Sequence, residues 1–124
     1  MQSKIESYPR LFVIYSAFEQ VALHEVYSMV TNQHRSLLVE DIDNPELWHI
    51  DSFFSSVTFF FYDEAQKKRY SSSDEIARYS QRYFELLKAH DEFGYLSEDN
   101  FRVAIDSKEN FEKNYNGNWY YYYK

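Results

Sequence analysis

Cysteine is absent from this chain of 124 residues. The absence excludes a disulfide framework and any metal site built from thiolates, and it is compatible with a reducing compartment. Glycine is almost as scarce, with Gly94 and Gly117 as its two residues. A phosphate-binding loop needs several glycines to bring backbone N–H groups against the phosphates. P-loop and dinucleotide-binding sites are therefore excluded as well.

Long apolar segments are also missing. No window of about 18 residues is free of charged side chains, so the sequence contains no candidate transmembrane helix. The N-terminal segment MQSKIESYPR carries both signs of charge, and Glu19, His24 and Glu25 interrupt the segment that follows. This pattern is unlike the apolar core of a secretory signal peptide. We therefore expect a cytoplasmic protein that does not enter a membrane.

Basic residues are absent from the 31 residues between Ser36 and Gln66, which we call the acidic stretch. Its seven acidic residues are Glu40, Asp41, Asp43, Glu46, Asp51, Asp63 and Glu64. The other 13 acidic residues are balanced by 13 basic residues, so the net charge of −7 comes from this stretch alone. Such a stretch either keeps the protein soluble or attracts a basic protein partner, and both readings remain open.

Nucleic acid is a poor partner for this charge pattern because its backbone is also negative. The most compact basic cluster, Lys67-Lys68-Arg69, is too small to follow a phosphate backbone, and we expect it at the tip of a hairpin. Hydrophobic residues make up 44% of the chain and charged residues 27%, which is typical of a folded globule. At this length, the prediction is a single domain covering residues 1–124.

Two segments have the three- and four-residue spacing of apolar side chains that is typical of amphipathic helices. The first covers about residues 9–31. In an alternative reading of this segment, LFVIY is a strand and the helix begins near Ser16. The second covers about residues 73–89, where Ser72 and Glu75 match a capping box.

Three segments rich in aromatic and β-branched residues are predicted as strands, namely 55–62, 101–106 and 118–123. The run Phe59–Tyr62 puts rings on both faces of the first strand, which favours a strand covered on both sides. The turn Asn116-Gly117 is expected to lead into the third strand, WYYYYK. Strand alternation would place its aromatic side chains on two faces, with Trp119, Tyr121 and Tyr123 on one and Tyr120 and Tyr122 on the other.

Shorter elements complete the prediction. Residues 36–39 are expected to be extended, and Asn44 is expected to cap a brief helix that carries Trp48. Tyr70 is expected to close a hairpin across DEAQKKR, and Ser107 to cap a helical segment, KENFEKNY. Together the elements predict an α+β fold. It would have a small mixed or antiparallel sheet of about 3–5 strands, with the two amphipathic helices packed on it.

Four histidines are the obvious candidates for metal binding or acid–base chemistry: His24, His34, His49 and His90. They form no HExxH, no Glu-x-x-His pair and no Cys–His spacing, so we interpret them as structural or solvated. No GxSxG elbow surrounds a serine. Asp41 and Asp43 form a DxD pair, but this pattern is common in acidic loops. We expect no enzymatic activity, no metal and no cofactor.

Aromatic residues interleaved with acidic residues favour a surface that binds a basic protein. Carboxylates steer the partner, and rigid aromatic side chains anchor it. Trp48 lies in the acidic stretch between Glu46 and Asp51, and we predict it as the anchor, although a tryptophan in a small protein is more often a core residue. The candidate partner-binding residues are Glu40, Asp41, Asp43, Glu46, Trp48, Asp51, Asp63, Glu64, Tyr120 and Tyr122.

A small, acidic, tyrosine-rich chain without cysteine or catalytic motifs resembles the immunity proteins that bacteria make against nuclease toxins of the colicin and contact-dependent growth inhibition types. The resemblance lies in composition and organisation over the whole length. It implies a partner that is a basic nuclease domain, bound in the cytoplasm by a monomer or weak homodimer. Two alternatives remain open: a phage-encoded inhibitor or nucleic-acid mimic of a host enzyme, and a structural protein that self-associates through its aromatic residues.

Overall fold

The computed structural model describes residues 21–92 and 94–124, and these residues form six helices and a three-stranded sheet. Residues 21–29 belong to helix α1. The other elements, in chain order, are α2 (Asn32–Ile42), β1 (Leu47–Phe53), β2 (Ser56–Phe61), α3 (Glu64–Tyr70), α4 (Asp74–Lys88), β3 (Val103–Ser107), α5 (Lys108–Tyr115) and α6 (Trp119–Tyr123). The predicted α+β class is confirmed.

The sheet has the strand order β1-β2-β3. β1 pairs with β2 antiparallel and β2 pairs with β3 parallel, so the sheet is mixed. The register of β1 shifts between Leu47 and His49, which leaves Trp48 as an extra residue in a bulge. Because β2 is the central strand, Phe59 and Phe60 are fully buried although they point to opposite faces. The prediction that this strand is covered on both sides is confirmed.

One face of the sheet forms the main core with the helices α1 to α4. Tyr83 of α4 is fully buried and packs edge-on against Phe59, with 6.4 Å between ring centroids. Phe61 stacks on Tyr70 of α3 at 4.2 Å. The apolar residues buried in this core are Val26, Tyr27, Val30, Leu38, Leu47, Ile50, Val57, Phe59, Phe61, Tyr70, Ile76, Tyr83, Phe84, Leu87, Leu96 and Phe101. Removing this surface from water is the main stabilising contribution to the fold.

Helix α4 confirms the predicted amphipathic helix over residues 73–89, with one change at its start. The side chain of Ser73 accepts a hydrogen bond from the backbone N–H of Ile76 at 3.3 Å. Ser73 is therefore the N-cap, one residue later than Ser72, and the capping box predicted with Glu75 does not form.

The first predicted helix is only partly within the described residues. Residues 21–29 are helical, whereas residues 9–20 of the prediction, including the alternative strand LFVIY, lie outside the described residues. Within residues 21–92 and 94–124, no helix combines the length and the apolar character needed to cross a bilayer.

The C-terminal segment is a helix, so the prediction of a strand over residues 118–123 is wrong. Asn118 starts α6 because its side chain accepts hydrogen bonds from the backbone N–H groups of Tyr120 and Tyr121, at 2.9 and 3.3 Å. The strand prediction followed the β propensity of aromatic residues. The helical conformation is favoured over a strand because it brings three of the rings, spaced i, i+3 and i+4, onto the sheet together.

The second face of the sheet is covered by α5 and α6. Trp119 lies 4.1 Å from Phe111 and 5.4 Å from Phe60 between ring centroids, and Tyr122 lies 5.4 Å from Phe60. Tyr120 is 71% exposed. Ser107 caps α5 by accepting from the backbone N–H of Asn110, as predicted, and the predicted turn at Asn116-Gly117 has positive φ at both residues. The sheet is thus buried on both faces by different helices.

Two short elements differ from their predictions. Residues 36–39 are part of α2 and not extended, because the capping box of Thr31 and His34 starts a helix that runs through them. The predicted brief helix after Asn44 is strand β1. The side chain of Asn44 accepts from the backbone N–H of Glu46 and makes a turn there, so the chain enters the sheet instead of a helix.

The predicted hairpin across DEAQKKR is also wrong, because these residues form α3. Asp63 accepts from the backbone N–H of Gln66, and the Gln66 side chain accepts in return from the backbone N–H of Asp63. This capping box starts the helix. The basic cluster Lys67-Lys68-Arg69 lies in its last turn, where the negative end of the helix dipole favours cations.

Candidate functional site

The C-terminal end of α2 concentrates negative charge. Glu40 and Asp41 occupy its last turn, which contains no basic residue, and Asp43 is its C-cap in the left-handed conformation with φ 55°. The backbone N–H of Asp43 closes the helix by donating to the carbonyl of Val39 at 3.2 Å. The last turn of a helix carries partial negative charge from its free carbonyls. Acidic residues at this position therefore repel both the helix end and one another.

Most helices avoid this arrangement, and acids at a helix C-terminus cost about 0.3–1 kcal/mol each. α3, α4 and α5 follow the usual rule, with basic residues in their last turns. Departures from a local rule concentrate at functional sites, because the loss of stability is tolerated for a gain elsewhere. The end of α2 is thus a candidate site on electrostatic grounds.

Beside this helix end runs an open groove of about 740 Å³ between α2 and α4. Its apolar lining residues are Leu37 and Leu38 of α2, and Leu86 and the C-cap residue Ala89 of α4. Leu37 is 55% exposed and lines the groove together with three other apolar side chains. The polar residues that line the groove are His34, Glu40, Asp41, Arg82 and Glu85.

The charges of this groove are only partly balanced. Arg82 of α4 donates a hydrogen bond to Asp41 of α2 and so links the two helices. Within the described parts of the chain, the side chains of Glu40, Asp43 and Glu85 have no ion pair or hydrogen bond. The α2–α4 groove therefore combines an apolar floor with two uncompensated carboxylates on its rim, and Asp43 adds a third at the end of α2.

The remaining acidic residues of the stretch are engaged elsewhere. Glu46 accepts hydrogen bonds from Arg69, from Tyr70 at 2.8 Å and from Gln66 at 3.1 Å. The Arg69 guanidinium, followed by the Tyr70 hydroxyl, holds the pKa of Glu46 below its ordinary value. Glu46 thus ties the turn before β1 to helix α3.

Asp63 and Glu64 also serve the structure of α3. Asp63 is its N-cap, and Glu64 accepts from the Ser107 hydroxyl at 2.7 Å. Lys67 lies 3.9 Å from Glu64 and 3.7 Å from Asp106. Asp63 thus starts α3, and Glu64 joins α3 to the end of β3.

Asp51 lies under the C-terminal helix. Its carboxylate accepts from the Tyr123 hydroxyl at 2.6 Å and lies 3.4 Å from Nε2 of His49. Burial acts to raise the pKa of Asp51, but these two hydrogen bonds and the charge of Arg35 outweigh burial and hold the pKa below its ordinary value. In turn, burial and then the Asp51 carboxylate raise the pKa of Tyr123. Asp51 is a structural carboxylate in this arrangement.

The three aromatic candidates lie in different surroundings. Trp48 is half-buried and stacks on Trp119 at 6.4 Å, and the ammonium group of Lys108 lies 5.4 Å from its ring. Tyr122 donates a hydrogen bond to Asp106, and burial followed by this bond raises the pKa of Tyr122. Of the three, Tyr120 is the one that projects into solvent. The anchor role of Trp48 stays a prediction, while the contacts give it a packing role on the second face.

Sequence reasoning placed Glu40, Asp41 and Asp43 at the site but missed its α4 side. Leu37, Arg82 and Glu85 were not candidates. The spacing of His34, Leu37, Leu38 and Asp41 at i, i+3, i+4 and i+7 is a helical stripe, but it does not reveal that the stripe lies beside α4. The i, i+3 pair of Thr31 and His34 was the local signal for this helix.

The groove can bind a partner through apolar contacts along its floor and through charge at its rim. In the described part of the chain, no three His, Cys, Asp or Glu side chains cluster as they would around a metal ion. Comparison with protein-family models, with curated proteins and with solved structures finds no match for this chain. The physical character of the α2–α4 groove is therefore the basis for assigning a function.

Proposed function

We propose that this protein is an immunity-type inhibitor. It binds a basic toxin domain, of the nuclease class, in the bacterial cytoplasm and blocks the surface with which that domain holds nucleic acid. The proposal rests on one observation: Glu40 and Asp43, whose side chains have no ion pair or hydrogen bond within the described residues, lie at the negative end of α2, beside the α2–α4 groove.

The mechanism requires no chemistry from this chain. A nuclease holds a polyanion in a cleft lined by Lys and Arg, and carboxylates on a rigid surface can occupy the same positions as phosphates. The repulsion at the end of α2 is relieved when a cation approaches, so the free protein is already arranged for such a partner. Electrostatic attraction also raises the association rate, which suits an inhibitor that must capture its toxin quickly.

Several acidic residues of the stretch already accept hydrogen bonds within the protein. This is a reason to place the interface at α2 and not along the whole acidic stretch. A partner that competed for Glu46 or Asp51 would have to break hydrogen bonds to Arg69 or Tyr123 first. Glu40 has no such bond within the described residues. A basic partner can therefore offset the free-energy cost of removing Glu40 from water without first breaking a hydrogen bond inside this protein.

The deciding experiment uses growth. The C-terminal domain encoded by the adjacent upstream gene is expressed from an inducible promoter, with and without this protein. We expect the domain to arrest growth alone and growth to be restored by co-expression. A toxic domain whose effect is unchanged by this protein would overturn the proposal.

A matched pair of variants locates the effect. Glu40→Lys combined with Asp43→Lys should abolish protection, while Glu92→Lys combined with Glu98→Lys, which changes the net charge equally outside the groove, should protect as well as the natural sequence. Protection lost equally in both pairs would mean that total charge matters and the site does not.

A further inference from the structure

We infer that the α2–α4 groove binds an amphipathic helix with a cationic flank. The inference rests on the proposed function for the identity of the partner, but on the described residues alone for the shape and charge of the bound element. The proposed function requires only that the partner is basic. This inference adds that the partner binds through a helix.

The shape of the groove follows from the spacing of its lining residues. His34, Leu37, Leu38 and Asp41 of α2 are spaced i, i+3, i+4 and i+7, and Arg82, Glu85, Leu86 and Ala89 of α4 repeat the same spacing. Each helix therefore presents one stripe about two turns long, or roughly 10 Å. The channel between two such stripes has the form into which the ridge of a third helix packs.

The floor of the groove is apolar, so we expect the bound helix to contact it with apolar side chains. Leu37 is 55% exposed, and Leu38, Leu86 and Ala89 continue the apolar surface around it. A helix that presents leucine or phenylalanine at i, i+3 and i+4 covers this surface and removes Leu37 from water.

The rim of the groove selects the charge. Glu40 and Glu85 flank the floor without an ion-pair partner in the described residues, whereas Arg82 is already bonded to Asp41. Lysine or arginine beside the apolar stripe of the bound helix satisfies both glutamates. A second copy of this chain is a poor occupant, because each copy carries a net charge of −7.

The test uses a synthetic peptide of about 18 residues, helical by design, with leucine on one face and lysine beside it. Its binding to the full chain is measured by calorimetry and located by backbone amide shifts in NMR. We expect shifts centred on α2 and α4. Leu37→Ser should weaken binding by about tenfold or more, and Glu40→Gln combined with Glu85→Gln should weaken it and flatten its salt dependence.

The controls are matched for exposure and charge. Met29 is 51% exposed and lies outside the groove, so Met29→Ser should leave the affinity unchanged, as should Glu92→Gln combined with Glu98→Gln. A peptide of the same pattern with glutamate in place of lysine should not bind. Binding that is insensitive to Leu37→Ser, shifts centred outside α2 and α4, or equal binding of the glutamate peptide would overturn the inference.

Two further measurements separate this inference from the proposed function. If the toxin domain binds the natural protein and the groove variants equally well, the groove is not the docking site and the proposed function stands. If the lysine peptide binds at the groove but the toxin domain does not bind at all, the proposed function fails and the inference stands. Sedimentation that showed a dimer disrupted by Leu37→Ser would assign the groove to a second copy and contradict it.

Discussion

Two groups of carboxylates in this protein have the same chemistry and opposite surroundings. Asp51 and Asp106 lie on the second face of the sheet, where tyrosine hydroxyls of α6 donate hydrogen bonds to them. Glu40 and Glu85 lie on the rim of the α2–α4 groove and have no such donors within the described residues. Acidic composition alone does not tell the two groups apart, and the hydrogen-bond partners do.

The difference lies in what each group does for the folded chain. A half-buried carboxylate with donors stabilises the packing of the helix that supplies them, and a donor to a charged group contributes more than a donor to a neutral one. An exposed carboxylate at the negative end of a helix has the opposite effect on stability. We conclude that the first group stabilises the fold and that the second lowers its stability.

The largest effect is expected when the packing of α6, which covers Asp51 and Asp106, is disrupted. Trp119 is half-buried and contacts Phe60, Phe111 and Trp48, so Trp119→Ala should lower the free energy of unfolding by about 3 kcal/mol, the lower end of the range for tryptophan-to-alanine changes in protein cores. Chemical denaturation measures it. Tyr120→Ala in the same helix, at a ring that is 71% exposed, is the control and should cost much less. Equal losses would mean that α6 does not pack as described.

A smaller loss is expected from a single hydroxyl. Tyr123→Phe keeps the ring that stacks on Phe53 at 4.4 Å but removes the hydrogen bond to Asp51, and it should cost about 1.5–3 kcal/mol. Tyr120→Phe removes an exposed hydroxyl and should change the unfolding free energy very little. If both variants unfold at the same denaturant concentration as the natural protein, Asp51 gains nothing from Tyr123.

The pH dependence of the unfolding free energy should test the role of Asp51 in the first group. The pKa of Asp51 is lower in the folded protein than its ordinary value of 3.8, so its contribution to stability is fully present above that pH and is lost as the pH falls through the folded value. Below about pH 4 the natural protein should lose stability relative to Asp51→Asn. A constant difference for Asp51→Asn from pH 7 to pH 2 would contradict the assignment.

The smallest expected effect has the opposite sign. Glu40→Gln removes a negative charge from the last turn of α2 and should stabilise the protein by about 0.3–1 kcal/mol. Thermal unfolding at low ionic strength is the measurement, since salt screens the interaction. Glu75→Gln, in the favourable first turn of α4, should destabilise slightly. A destabilising Glu40→Gln would show that Glu40 is part of the fold after all.

The sequence predicted those elements whose signals are local and strong. β2 was recognisable from its aromatic run and α5 from Ser107, and both were placed correctly. The segment of α3 is predicted as a hairpin, although the capping-box pair of Asp63 and Gln66 is visible in the sequence. The helical tail could not be recognised from propensity, since its five aromatic residues favour strands and tertiary packing decides.

The site divides in the same way. Glu40, Asp41 and Asp43 follow from charge counting along the chain. Leu37 and Glu85 do not, because the groove exists only once α2 lies beside α4, and nothing in either segment reveals that pairing. The engaged state of Glu46 and Asp51 was equally hidden, since their donors come from distant residues. Charge patterns thus locate a region, while the pairing of side chains identifies the surface that is free to bind.

The most direct test of the central proposal, that the α2–α4 groove attracts a basic partner, is the association rate constant with the C-terminal domain encoded by the adjacent upstream gene, measured by stopped-flow fluorescence over a range of salt. Glu40→Lys combined with Glu85→Lys should lower this rate by about tenfold or more at low salt, and the difference should shrink as salt rises. Glu92→Lys combined with Glu98→Lys changes the net charge by the same amount and should leave the rate within about twofold. Equal reductions in both pairs, or a rate insensitive to both and to salt, would contradict the account.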